Sequence, residues 1–244
     1  GKSESAPCLA NAATRMNEGF ARTWAARDWD AFMALRAPAC ELDDRRRLMR
    51  LEETTISNVP TLRVLFEVPG GRWTVTPIAT RGERLALSRL LFEGQVDERG
   101  GDLAIDYLCV DEVDAEGLST AVVLFDLDDR DAAYAELDAR YEAGEAKVHE
   151  RASAFFRRYR GVIAARDWGS LAALCAPGVV AEDHRLVSWG TLRGPVAWAD
   201  ALRKLLELAP DTGLRVYHAR TSARAVFFQG SWVGTRDGGQ FEIP

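Results

Sequence analysis

Histidine and cysteine are scarce in this sequence, and their spacing excludes the common metal and disulfide frameworks. The 244 residues include three histidines and four cysteines, and no two of the cysteines form a C-x-x-C pair: Cys8, Cys40, Cys109 and Cys175. Without paired ligands, a Cys/His metal cluster is not expected. Free thiols are typical of a reducing compartment, so we predict a cytoplasmic protein that has no metal site.

Long apolar runs and nucleotide-binding motifs are also missing. No apolar stretch approaches the ~20 residues that are needed to cross a bilayer. The sequence has no Gly-rich phosphate loop, dinucleotide fingerprint, H-E-x-x-H or G-x-S-x-G motif, so no cofactor is expected. The 31 basic and 37 acidic residues give a net charge of −6. That balance argues against nucleic acid or an anionic membrane as the main partner.

The sequence does contain an internal repeat. Residues 25–46 and 164–185 align without a gap at an offset of 139, with 11 identities in 22 positions. The shared residues are an A-A-R-D-W run that ends in Trp29 or Trp168, an A-L-x-A-P run and a D-x-R pair. We interpret this as a tandem duplication, with one copy at 8–146 and the other at 147–244.

Each copy has a pattern of helices followed by strands. In the second copy, apolar residues at helical spacing predict a helix over 152–163, and Asp167 is suited to cap the next one. Pro195 opens a third helix. Its predicted buried stripe is Val196, Ala199, Leu202, Leu205 and Leu206. Beyond this helix the apolar period changes to two, which predicts strands.

The first copy continues further along the same plan. Its strands are predicted at 72–79, 84–93, 103–113 and 118–125. Asp128 or Asp129 is suited to cap a final helix, whereas Pro60 predicts that the third helix is short and starts late. The second copy lacks the last strands and the helix, which indicates a fragment. We predict an α+β fold of two tandem cone-shaped units, with helices on one face of a curved antiparallel sheet and the second unit truncated.

This order of motifs resembles the SnoaL-like branch of the nuclear transport factor 2-like superfamily. The resemblance covers nearly the whole chain, and it is closest to tandem modules found toward the ends of large bacterial signalling proteins. It implies a half-open pocket between the sheet and the helices, in which a small apolar ligand can lie. It does not fix an activity, because this scaffold hosts isomerases, cyclases, hydrolases and non-catalytic binders.

The D-x-R pair of each copy is the first candidate for a site. Asp44 and Arg46 lie two residues apart on a predicted strand, as do Asp183 and Arg185, so each pair shares a face. A carboxylate beside a guanidinium keeps a low pKa and is a poor general base. We therefore favour the interpretation that each pair is a structural ion pair. Ligand anchoring or catalysis by Asp44 or Asp183 remain alternatives.

Aromatic residues and one histidine complete the set of candidates. Phe92 and Trp232 occupy matching strand positions, and either core packing or pocket lining would suit them. Tyr107 is a further candidate to face the pocket. His184 lies on the opposite strand face from Asp183, so we expect a surface histidine, with general base catalysis as the alternative.

Three functions are consistent with these residues. The leading hypothesis is a non-catalytic ligand-binding or regulatory module of a larger bacterial signalling protein. The alternative is an isomerase or cyclase that uses a pocket carboxylate on a polyketide- or steroid-like substrate. A third is structural, with sheet faces paired between the units or in a homodimer.

Overall fold

The protein is described from a computed structural model of the chain. It describes residues 10–48, 51–55, 60–95, 101–185, 188–207, 209–236 and 238–243. The chain divides into two compact units, one of residues 1–148 with 218–220 and one of residues 149–217 with 221–244. Cys8 lies outside the described residues, and the bounds predicted for the two copies remain a prediction.

Unit 1 begins with two helices whose ends are fixed by polar caps. Asn11 caps the first helix, because its side-chain oxygen accepts a hydrogen bond from the backbone N–H of Thr14 at 2.9 Å. Asp28 caps the second in the same way, through the N–H of Ala31 at 2.9 Å. The third helix starts at Pro60, as predicted. The helices of this unit are α1 (Ala12–Ala25), α2 (Trp29–Met33), α3 (Pro60–Glu67) and α4 (Arg130–Ala143).

The sheet of unit 1 has six strands in the order β3-β4-β5-β6-β1-β2. They are β1 (Arg36–Asp44), β2 (Leu51–Thr55), β3 (Arg72–Arg81), β4 (Leu85–Gln95), β5 (Asp102–Val113) and β6 (Ser119–Phe125). The strands from β3 to β6 lie within two residues of the predicted bounds. Neighbouring strands are antiparallel except for β1 and β6, which are parallel. The sheet is therefore mixed, whereas an antiparallel sheet was predicted.

Both faces of this sheet are covered by helices. On β5, Tyr107 and Cys109 belong to the apolar core on the side of α1 and α3, whereas Leu108 and Val110 belong to the core on the side of α4. Side chains of a strand alternate between its faces, which separates these two cores. The predicted α+β class is confirmed, but the expectation that all helices share one face was wrong for α4.

Unit 2 repeats the opening helices of unit 1. Its helices are α5 (Glu150–Ala164), α6 (Trp168–Leu174) and α7 (Pro195–Glu207). Asp167 caps α6 as predicted, accepting a hydrogen bond from the N–H of Ser170 at 2.9 Å. In the predicted stripe of α7, Ala199, Leu202 and Leu206 are buried, whereas Val196 is exposed. Val196 lies in the first turn of the helix, outside the buried face.

The strands of unit 2 form a short hairpin and a separate group of three. They are β7 (Val180–Glu182), β8 (Thr191–Arg193), β9 (Gly213–Thr221), β10 (Val226–Arg236) and β11 (Gly239–Ile243). β7 pairs with β8, and β10 lies between β9 and β11. The core of the unit is formed by α5, α6 and α7, and several tryptophans pack against it. Among the described residues, no helix combines the length and the hydropathy that would cross a bilayer.

Candidate functional site

A cavity lies inside unit 1, between the helices α1 and α3 and the face of the sheet that packs against them. Its volume is about 410 Å³, which is within the range of small-molecule sites. Most of its wall is apolar or aromatic, from residues of α1, α3 and the strands: Met16, Phe20, Leu42, Leu62, Leu65, Trp73, Leu90, Ile105, Val122 and Leu124. The cavity can therefore take up an apolar molecule from water.

A small group of polar side chains interrupts this apolar wall. Asp111 of β5 is 4% exposed. Its Oδ2 accepts hydrogen bonds from Nδ2 of Asn17 at 3.1 Å and from Sγ of Cys109 at 3.3 Å. Asn17 also donates to Oγ of Ser88 at 3.3 Å. Asn17 projects from α1 and the other three from β4 and β5, so the group lies where helix and sheet meet.

Burial sets the protonation behaviour of this group. Burial raises the pKa of Asp111, although the hydrogen bonds from Asn17 and Cys109 act in the opposite direction. Burial also raises the pKa of the Cys109 thiol and of the Tyr107 phenol. These two groups keep their protons at neutral pH, so neither provides a nucleophilic anion.

Arg36, the first residue of β1, contributes a cation to the cavity wall. Its Nη1 donates to the backbone oxygen of Phe32 at 2.8 Å, and its guanidinium carbon lies 4.1 Å from the centre of the Phe32 ring. Burial lowers the pKa of Arg36, and nearby acidic groups including Asp111 oppose that shift. An arginine keeps its charge in proteins, so Arg36 places one positive charge in this wall.

The predicted Asp44–Arg46 pair lies in the same wall. The two Asp44 oxygens accept from Nε and Nη2 of Arg46 at 2.9 and 2.7 Å, in a two-pronged ion pair. The guanidinium of Arg46 lies 4.5 Å from the ring centre of Tyr107. Asp44, Arg46 and Tyr107 all line the cavity. Three of the predicted ligand-binding residues are thus together in one place.

The other predicted site residues lie elsewhere. Phe92 is fully buried in the core of unit 1 and is not part of the cavity wall. In unit 2, Nε and Nη2 of Arg185 each donate a hydrogen bond to a carboxylate oxygen of Asp183 at 2.9 Å. Trp232 packs against the helical core of that unit. The His184 side chain is 85% exposed and lies 3.6 Å from Glu182. Their proposed roles in binding or catalysis remain predictions.

Asp111, Asn17 and Arg36 were not predicted from the sequence as site residues. A signal for Asp111 was present, because residues two and four positions beyond Tyr107 on a strand point to the same face. Counting from Tyr107 in twos gives Cys109 and Asp111. Nothing comparable identified Asn17 or Arg36, whose positions depend on how α1 and β1 pack against the sheet.

One acidic cluster in the described part of the chain is compact enough to share a cation. It consists of Asp126, Asp128 and Asp129. Asp126 and Asp128 both accept from the guanidinium of Arg47, at 2.8 and 2.5 Å. Arg47 therefore already balances part of this negative charge.

Comparison with known proteins identified similar structures and no similar sequences. No family model matches the chain, and no curated protein matches it. RV0760c from Mycobacterium tuberculosis, solved in complex with estradiol-17beta-hemisuccinate, is 13% identical with a TM-score of 0.41, covering 49% of this chain and 97% of that one. AusH from Aspergillus nidulans is 14% identical with a TM-score of 0.41, covering 49% and 86%.

A third similar structure is a protein of unknown function from Exiguobacterium sp. 255-15. It is 11% identical with a TM-score of 0.36, covering 45% of this chain and 95% of that one. It is named as NTF2-like. That is the superfamily that the sequence resembles. At these identities and TM-scores, the similarity carries no information on substrate or activity.

Proposed function

We propose that unit 1 is a binding module that holds a small, largely apolar molecule in its cavity without transforming it. The observation that carries this proposal is the cavity of about 410 Å³, with an apolar wall and a few buried polar side chains. Such a combination is typical of sites that hold a small molecule by burial and orient it with a few polar contacts. The module would serve as a regulatory part of a larger bacterial signalling protein.

The ion pairs of Asp44 and Asp183 argue against these two carboxylates as the base of the isomerase or cyclase alternative. That alternative assigned the base to Asp44 or Asp183, and each of these carboxylates accepts two hydrogen bonds from an arginine. The Arg185 guanidinium, together with the backbone N–H of Trp189, lowers the pKa of Asp183. A carboxylate stabilised as an anion is a weak base at neutral pH.

A cavity-filling substitution tests the proposal. Val122 of β6 lies on the cavity face of the sheet, opposite Leu42 and Asp111, and is partly buried, so Val122→Trp adds bulk to the cavity. The probe is the neutral dye N-phenyl-1-naphthylamine, whose fluorescence rises in apolar surroundings. We expect the wild-type chain to bind the dye and Val122→Trp to weaken binding by about tenfold or more.

The matched control adds the same side chain outside the cavity. Ala139 lies on the exposed face of α4, and Ala139→Trp should leave the dye affinity unchanged. Equal affinity in wild type and Val122→Trp would place the dye elsewhere and refute the proposal. Pairing of sheet faces between units or in a homodimer remains a separate prediction, which the molecular mass in solution would test.

A further inference from the structure

Arg36 is a cation in a largely apolar wall, and its surroundings satisfy little of its hydrogen-bonding capacity. A guanidinium carries five N–H donors. In the described residues, the one hydrogen bond that Arg36 makes is to the backbone oxygen of Phe32. The Phe32 and Phe20 rings lie 4.1 and 5.7 Å from its guanidinium carbon and supply aromatic faces, not anions.

No carboxylate in the described part of the chain lies within 4.0 Å of the Arg36 guanidinium, in contrast to Arg46 in the same wall. Arg46 is neutralised by Asp44 at 2.7 Å. Asp111 acts on Arg36 only at longer range. The Asp111 oxygen already accepts from Asn17 and Cys109, and burial favours its protonated form. Arg36 is partly buried, and a partly buried cation without a direct counter-ion gains stability when an anion binds it.

The second copy of the repeat shows that the fold does not require this arginine. At the offset of 139, Arg36 corresponds to Cys175, and Asn17 corresponds to Phe156. An aspartate nevertheless caps the short helix before this position in both units, Asp28 before α2 and Asp167 before α6. Arg36 and Asn17 are therefore particular to unit 1, as expected for residues that serve the contents of its cavity.

We propose that the natural ligand of this cavity is an amphipathic anion, with an apolar body against the aromatic wall and one carboxylate or similar anionic group bound by Arg36. This inference rests on the proposed binding function and adds to it the charge of the ligand. The anion would accept from the free guanidinium donors of Arg36 and supply the missing counter-charge. The apolar side chains of Phe20, Trp73 and Leu90 would contact its body.

Two dyes that share a skeleton test the inference. The sulfonate 8-anilinonaphthalene-1-sulfonate and the neutral N-phenyl-1-naphthylamine differ by one anionic group. A charge-assisted hydrogen bond in a cavity changes affinity by about tenfold or more. We expect the wild-type chain to bind the sulfonate at least about tenfold more tightly than the neutral dye, as measured by the ratio of the two Kd values.

Three substitutions assign the preference to Arg36. Arg36→Met should lower the Kd ratio by about tenfold while the neutral dye still binds, and Arg36→Lys should retain most of the preference because the charge remains. Arg72 is exposed and paired with Glu93 outside the cavity wall. Arg72→Met removes the same charge there, so its Kd ratio should match the wild type.

The outcomes separate this inference from the binding function. If the neutral dye binds in the cavity, as judged by Val122→Trp, but the sulfonate has no advantage, the anionic ligand is refuted and the binding module stands. An advantage that persists in Arg36→Met would also refute the role of Arg36. If neither dye binds more weakly to Val122→Trp, both proposals fail. Thermal unfolding of each variant establishes that it is folded.

Discussion

Arg27 and Arg166, which lie 139 positions apart, both adopt a left-handed backbone, with φ of 56° and 57°. In each case the backbone N–H reaches the carbonyl oxygen three residues before, Arg27 to Trp24 and Arg166 to Ile163, at 3.0 Å. The residue that follows each arginine caps the next helix. The same turn has therefore been kept in both copies of the repeat, together with its strain.

Replacing these arginines separates backbone strain from side-chain contacts. A residue with a Cβ in the left-handed region costs about 1 kcal/mol more than glycine. We therefore expect Arg27→Gly to be about 1 kcal/mol more stable than Arg27→Ala in urea unfolding, and the same order for Arg166→Gly and Arg166→Ala. Comparing Gly with Ala cancels the arginine contacts, which include the position of Arg27 over the Phe66 ring.

Ala26 provides the control for this comparison. It precedes Arg27 and has an ordinary right-handed backbone, with φ of −74°. Ala26→Gly should destabilise the chain, because glycine gains freedom in the unfolded state without relief of strain. If glycine were worse than alanine at position 27 or 166, the turn would not be strained as described.

The two D-x-R pairs have the same geometry at different depths, which predicts different stabilities. The side chain of Asp44 is 1% exposed and that of Arg46 15%, whereas Arg185 is 42% exposed. Removing one partner of a buried pair costs about 3 kcal/mol, since the other charge stays buried. We expect that loss for Asp44→Ala and a clearly smaller loss for Asp183→Ala, because water can solvate Arg185.

A double variant tests this cause. Asp44→Ala combined with Arg46→Met removes both charges, so it should recover much of the stability lost in Asp44→Ala alone. Equal unfolding free energies for Asp44→Ala and Asp183→Ala, or no recovery in the double variant, would contradict it. Dye binding by the double variant shows separately whether the ion pair is needed for the cavity.

The local elements of the fold could be predicted because their signals are local. Asp28 and Asp167 each cap the helical turn that directly follows them in the sequence. Pro60 marks the start of a helix, because proline is tolerated in the first turn and not in the helix interior. The parallel pairing of β1 with β6 could not be predicted in this way. It joins Arg36–Asp44 to Ser119–Phe125. These segments are far apart in the sequence, and no local sequence pattern indicates that they pair.

The candidate site was predictable where the repeat or an aromatic side chain marked it. The D-x-R pairs appeared because the repeat retained them, and Tyr107 because aromatic residues are conspicuous. Arg36 and Asn17 differ between the copies, so the comparison of the copies directed attention away from them.

Asp111 should make stability fall as the pH rises. Burial raises its pKa above the ordinary value of about 3.9. Between these two pKa values the folded state binds more protons than the unfolded state, so the stability contribution is present below the ordinary value and is lost as the pH rises through the folded value. Asp111→Asn removes this dependence and should gain stability relative to wild type as the pH rises above about 4 in urea unfolding.

Asp106, on the same strand, is a control of opposite sign. Its hydrogen bonds to Arg89 lower its pKa, so its contribution is present above the ordinary value and is lost as the pH falls. Asp106→Asn should therefore lose stability relative to wild type near neutral pH and approach it in acid. If Asp111→Asn changed the pH profile in the same direction as Asp106→Asn, the assignment of a raised pKa to Asp111 would be wrong.

Gly94 and Gly161 should respond in opposite directions to the same substitution. A Cβ on Gly94 of β4 would lie 2.5 Å from Cγ1 of Val68, so Gly94→Ala forces a shift of a β-branched side chain and should cost about 1 to 3 kcal/mol. A Cβ on Gly161 of α5 would meet no other atom within 4 Å. Gly161→Ala should stabilise the chain by about 1 kcal/mol, because alanine favours a helix interior.

The clash at Gly94 can be relieved from the other side. Val68→Ala removes the Cγ1 atom, so the cost of Gly94→Ala should be smaller in a Val68→Ala background than in the wild type, as a double-mutant cycle in urea would measure. Additive effects would show that the strand moves away and the two side chains do not collide. Because Val68 packs against the core that includes Trp73, movement of this strand would also alter neutral dye binding in Gly94→Ala.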